Sequence, residues 1–190
     1  MSMTENERRL ALDELTSSEE RVVNLVAGLT PEQWSFRESP DRWSIAENVE
    51  HLVVFEGFLM GIIAKMVEAD GLAGERPNEV QGVAERDEKE RLVLGLSGSR
   101  SVPLRSREVV RPSGRWPDTA VMVDELRQAR ARTVAFAGAT NASLRSHFFT
   151  HVAFGDLDGY QWLLLIGQHT ARHVLQIEQV MADPGFPRSA

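Results

Sequence analysis

Four stretches of this chain set apolar residues three and four apart, the spacing of a helix that buries one face, and irregular connections part them. The first spans residues 4–27, with Leu10, Leu15, Val22, Leu25 and Val26 near that period, and Gly28 ends it. Thr30-Pro31-Glu32-Gln33 then reads as a helix start for a short turn carrying Trp34. After Asp41-Arg42-Trp43, Ser44 with Glu47 three residues on forms a capping box, in which hydroxyl and carboxylate satisfy orphan backbone donors. That second helix continues through Met66 to about Ala69 and stops before Gly71. The third opens at Asp118 or Thr119 and carries Val123, Leu126, Ala129, Ala131 and Val134 up to about Ala137. Asp158 with Gln161 repeats the capping box and opens a last helix that reaches Met181.

Between the second and third helices, residues 70–117 change character. Gly71, Gly74, Gly82, Gly95, Gly98 and Gly114 mix there with Pro77, Pro103, Pro112 and many charges. Residues 85–94 are expected to form a short solvated helix, and the rest reads as a crossover or flap shaping a pocket lid, because irregular connections this long are usually functional or mobile. A second irregular stretch, 138–156, contains His147-Phe148-Phe149-Thr150-His151, which reads as extended or strand-like. Pro184, Gly185 and Pro187 mark a tail over residues 182–190. Helices of this length with one long connection suit an all-α four-helix bundle, read as a single domain over residues 1–190, and bundles build metal sites from facing helices.

Composition narrows the chemistry. The net charge of −7 argues against nucleic-acid and anionic-membrane partners, which need basic patches. With no cysteine there is no disulfide, no cysteine nucleophile and no thiolate metal site, so a metal must be held by histidine, carboxylate or water. Residues 1–20 are charged and polar, unlike a signal peptide, and no apolar run is long enough to span a bilayer, so a cytoplasmic location is expected. No phosphate-binding glycine loop is present, and Ser97-Gly98-Ser99 lacks the flanking pattern of a nucleophile elbow.

His169 and His173 stand one turn apart in Ile166-Gly167-Gln168-His169-Thr170-Ala171-Arg172-His173 and share a helix face. His51, on the second helix among Leu52, Val54, Phe55 and Phe58, can add a third imidazole from a facing helix, although alone it reads as a hydrogen-bonded core histidine. Three histidines around one divalent cation leave coordination positions open for water or substrate. Glu47, one turn before His51, has the helix cap as its competing duty. Gln176 lies on the same stripe as the pair, while Arg172 points elsewhere and reads as a salt-bridge partner. His147 and His151 are also four apart, but in a segment without helical character, so a second metal site is not expected there. Trp34, Trp43, Trp116 and Trp162 read as core or bundle-end anchors, with Trp116 also placed to wall a pocket beside the long connection.

Trp43-Ser44, Glu47 and His51-Leu52, followed by Gly155, Gln161-Trp162-Leu163 and then His169-x-x-x-His173 with Gln176-Ile177, resemble the DinB/YfiT-like superfamily of metalloenzymes in order and over nearly the whole length. The resemblance implies a four-helix bundle with a long connection between helices two and three. It also implies a divalent metal, often zinc or nickel, on His51, His169 and His173, and many members pair as homodimers. Members of known activity include thiol-dependent S-transferases and mycothiol-dependent maleylpyruvate isomerases. The leading expectation is therefore S-transferase-like chemistry on a small-molecule substrate, with a low-molecular-weight thiol as cosubstrate because the chain has no cysteine of its own. A metal-dependent hydrolase using the same site and a non-catalytic, metal-stabilised binding module are the alternatives. No residue is assigned a catalytic role from the sequence.

Overall fold

The computed structural model describes residues 1–69, 83–98 and 107–188. Among the described residues six α-helices form in chain order: α1 Glu5–Val26, α2 Pro31–Ser35, α3 Ile45–Ala69, α4 Val83–Leu94, α5 Thr119–Ala139 and α6 Gly159–Met181. The capping boxes read from the sequence are made. Ser44 and Glu47 exchange backbone bonds at the start of α3, and Asp158 and Gln161 do so at the start of α6. Thr4 with Glu7 and Thr30 with Gln33 form two more, each such cap being worth about 1 kcal/mol.

The long helices form a bundle in which α1 packs on α5 and α6, and α3 packs on the same two. The successive helices α1 and α3 are thus diagonal rather than adjacent, unlike an up-and-down bundle, where chain neighbours touch. Gly167 permits the close approach of α6 to α1, since a Cβ there would meet the Glu14 backbone at 3.1 Å.

The core has two apolar halves. Leu15, Leu59, Ile63 and Leu163 belong to one, and Val22, Val49, Leu126 and Ile177 to the other. Between them runs a buried polar layer. Arg130, 0% exposed, grips the Glu56 carboxylate at 3.0 Å and donates to Ser18 Oγ and Thr170 Oγ1, each at 2.9 Å, and to the Leu15 carbonyl, while Thr133 Oγ1 donates to Glu56 at 2.7 Å. All four long helices meet in this one network. It corrects the stripe read for α5: Ala131 is exposed, and Arg130 takes the interior position.

The stretch expected to be strand-like is a short hairpin, β1 Phe148–His151 paired antiparallel with β2 Gly155–Asp158. It is a small addition to a helical fold. Of the long connection, residues 70–82 and 99–106 lie outside the described residues, so the flap or lid expected there does too. The expected helix forms as α4 and packs on α6. The tail folds back onto α2, with Phe186 edge-on to Phe36 at 5.5 Å and the Pro187 carbonyl accepting from Gln33 Nε2 at 2.8 Å. No helix among the described residues is long and apolar enough to cross a membrane.

Candidate metal centre

α3 and α6 bring His51, His169 and His173 together, with one ring nitrogen from each lying within 4.8 Å of the others. His51 and His173 are buried and His169 is partly so. The Nε2 atoms of His51 and His169 stand 3.3 Å apart. Nitrogen ligands about 2.0–2.1 Å from a tetrahedral cation are spaced roughly 3.3–3.4 Å, so this pair already has the separation a shared ion requires.

Hydrogen bonds from the far side of two rings fix which nitrogen carries the proton. His51 Nδ1–H donates to the Val110 carbonyl at 2.6 Å, and a carbonyl can only accept. His173 Nδ1 lies 2.8 Å from Asn48 Oδ1, and Asn48 is oriented by its own amide nitrogen donating to the Ser44 carbonyl at 2.9 Å. Both imidazoles in their neutral form therefore present Nε2 lone pairs. Partners of this kind on the outer nitrogen are what set tautomer and ring orientation in histidine metal sites.

Burial favours the neutral form of all three rings. It holds His51 below the usual histidine range, against a smaller opposing effect of its bond to Val110. His169 is held well below by burial and then by the charges of His173, His51, Arg172 and His151; His173 follows by burial, His51 and Arg172. Three uncharged donors aimed at one point fit a divalent cation.

The cluster opens into a cleft of about 910 Å³. Aromatic rings flank the histidines: Phe55 stacks on His169 at 3.9 Å between centroids, and Trp43 lies 4.9 Å from His51 and parallel to His173 at 6.2 Å. Leu96, Ser97, Arg107 and Val110 of the long connection supply part of the wall. That connection is tied to α3 at the site. Glu50, beside His51, accepts from the backbone amides of Ser113 at 2.7 Å, Gly114 at 2.9 Å and Arg115 at 3.3 Å, in a turn where Gly114 has φ +77.

Glu47 is committed to the cap and to Arg37 at 2.7 Å. Gln176 lines the cleft. Arg172 lines it too, rather than pointing to another face, and donates to the Leu96 carbonyl at 3.3 Å. Trp43 and Trp162 border the cleft, whereas Trp116, considered for that role, packs against the apolar half around Val22 and Leu126. His147 and His151 are separated by extended backbone, roughly 13 Å over four residues, and form no joint site. Sequence reasoning missed Asn48 and Glu50. An asparagine inside an apolar helical stripe was the available signal for the first, and nothing local marked the second.

The sequence pattern that defines the DinB superfamily matches residues 14–177, and the chain belongs to that superfamily. Among solved structures it is similar to YfiT from Bacillus subtilis, described as a probable metal-dependent hydrolase with an unusual four-helix bundle topology. The two share 14% identity and a TM-score of 0.62 over 98% of this chain and 92% of that one, a likeness of fold. None of the curated proteins matches.

Proposed function

We propose that this member of the DinB superfamily is a divalent-metal-dependent enzyme acting on a small molecule, with His51, His169 and His173 as the ligands and a low-molecular-weight thiol as cosubstrate. The observation that carries the reading is the convergence of three neutral imidazoles, two with their Nε2 lone pairs fixed by Val110 and Asn48, at the edge of an open cleft. When bound, a divalent cation such as zinc or nickel supplies a Lewis acid that lowers the pKa of a thiol or water and leaves positions where it can be oriented. The protein's part is to hold those ligands rigid, to seat the substrate against Trp43 and Phe55, and to keep water from the apolar wall.

Transfer from a thiol is preferred to hydrolysis on the resemblance to thiol-dependent members of the superfamily; the carboxylates near the site have the following duties. On α3, Glu47 caps the helix, Glu50 holds the turn at Ser113 and Glu56 is bound by Arg130. At the cleft, Glu38 is engaged by Arg42 at 3.2 Å and Gln179 at 2.9 Å, and the exposed Asp41 also lines the wall. A cleft of about 910 Å³ also has room for a cosubstrate beside an acceptor. Hydrolysis at the same site is the second reading, supported by the description of YfiT.

Elemental analysis of untagged protein and of His169→Ala tests the ligand set: one equivalent of metal that falls away in the variant is expected. A wild type that takes up no metal on reconstitution would overturn the enzyme reading. Visible spectra of the cobalt-substituted protein titrated with 2-mercaptoethanol then separate the chemistries. A changed spectrum supports the thiol, and an unchanged one leaves hydrolysis.

A further inference from the structure

His151 closes β1 at the rim of the same cleft, and its ring is held on three sides. Phe154 stacks on one face at 4.8 Å and Trp162 approaches edge-on at 5.5 Å, itself anchored by Nε1–H donating to the Leu157 carbonyl at 3.2 Å. Nδ1 accepts from the backbone amides of Ala153 at 3.1 Å and Phe154 at 3.3 Å. A nitrogen accepting two hydrogen bonds carries a lone pair, so the neutral ring bears its proton on Nε2, the atom turned away from the hairpin turn. Burial first, and then the charge of Arg107, push His151 down to about 4, so the ring stays in this neutral form at ordinary pH. Arg107 is exposed and lines the same cleft. Phe58, Ile62, Phe149 and Leu165 supply apolar wall.

We infer that His151 and Arg107 form a carboxylate-binding subsite, one fixed N–H donor beside one cation, and that the substrate is a carboxylic acid with an apolar or aromatic body. A neutral donor with a set direction and a guanidinium complement the two oxygens of a carboxylate, and the apolar wall takes the remainder of the molecule. The inference rests on reading the cleft as the substrate site, and not on occupancy of the histidine cluster. His151 acts here in binding; the reacting centre belongs to the three-histidine cluster.

The test uses the full chain, once as isolated and once after chelation, with benzoate as probe. Long-range proton–nitrogen spectra of histidine-labelled protein are expected to show His151 unprotonated at Nδ1 and protonated at Nε2, with the Nε2 proton shifting as benzoate binds. His151→Asn keeps an oxygen that can accept the same two backbone amides, so the turn survives, while the N–H at the far edge of the ring is lost and the shorter amide NH2 does not reach its place. That variant and Arg107→Gln are each expected to weaken benzoate about five- to tenfold, with or without chelation. Three results would overturn the subsite: a proton on Nδ1, benzoate binding that is the same in His151→Asn as in wild type, or tighter binding of inorganic phosphate than of benzoate. Binding abolished by chelation and indifferent to both variants would place the carboxylate at the metal, removing the subsite while leaving the metal reading intact.

Discussion

Asn48 Oδ1 accepts the Nδ1 proton of His173 at 2.8 Å, while the other end of the same amide donates to the Ser44 carbonyl at 2.9 Å. One side chain on α3 thus sets the tautomer and the direction of a ring on α6. Asn48→Ala removes that support and leaves all three histidines in place. Metal affinity, measured by competition with a chromophoric chelator, is expected to fall about 10- to 100-fold. Asn48→Asp, which still accepts from His173, should retain most of it. An affinity unchanged in the alanine variant would mean that Asn48 only packs.

Glu50 and His51 are consecutive on α3 and reach the long connection together, the first through the amides of Ser113, Gly114 and Arg115 and the second through the Val110 carbonyl. Glu50→Ala should therefore loosen the segment that orients His51. The expected results are a stability loss of about 1–3 kcal/mol and faster amide exchange at Ser113 and Gly114. Metal affinity should drop as well, although residue 50 would touch no metal.

The layer around Arg130 and Glu56 makes a sharper prediction about stability. Removing either partner strands the other charge between the two apolar halves of the core, so Glu56→Ala or Arg130→Ala should cost about 3–5 kcal/mol. Replacing both with apolar residues of similar volume, as in Arg130→Met with Glu56→Leu, should be far milder. Urea unfolding of the two single variants and the double variant measures the difference. Losses that simply add would show that the two residues are not coupled.

These relationships explain which features could be read in the chain and which could not. The capping boxes at Ser44 and Asp158 were legible because both partners lie within one helical turn. The His169 and His173 pair was legible for the same reason, and His51 joined it through its place in the family pattern. Arg130, Glu50 and Asn48 were opaque, since their partners lie 74, 63 and 125 residues away. A charged residue looks like a solvated face until the fold supplies its counterpart. Ala131 and Arg130 are neighbours in sequence, and only the pairing with Glu56 decides that the arginine turns inward. The diagonal placement of α1 and α3 was also hidden, because helical periodicity states which face is buried but not against which helix.

Asp158 carries the pH dependence that can be isolated most cleanly. It is fully buried, caps α6 through the Gln161 amide at 2.9 Å and pairs with Arg145 at 3.1 Å. Burial pushes its carboxyl up to about 6, opposed by Arg145 and the Gln161 amide and reinforced by Glu90 and Glu7. Between the ordinary aspartate value near 4 and about 6, the folded protein thus binds more protons at this site than the unfolded chain. Stability from this group is full at the acid end of that window and is lost as pH rises through it. The buried neutral histidines act in the opposite sense, since the unfolded chain takes up their protons below about pH 6.5. Asp158→Asn keeps an oxygen to accept from Gln161 and has no proton to lose, and the histidine slope is common to both proteins. The stability of wild type relative to Asp158→Asn is therefore expected to fall from about pH 4 to about pH 6 and then level off, as read from urea unfolding across that range. A difference that stays flat with pH would mean that Asp158 remains ionised down to the ordinary range, with Arg145 outweighing burial.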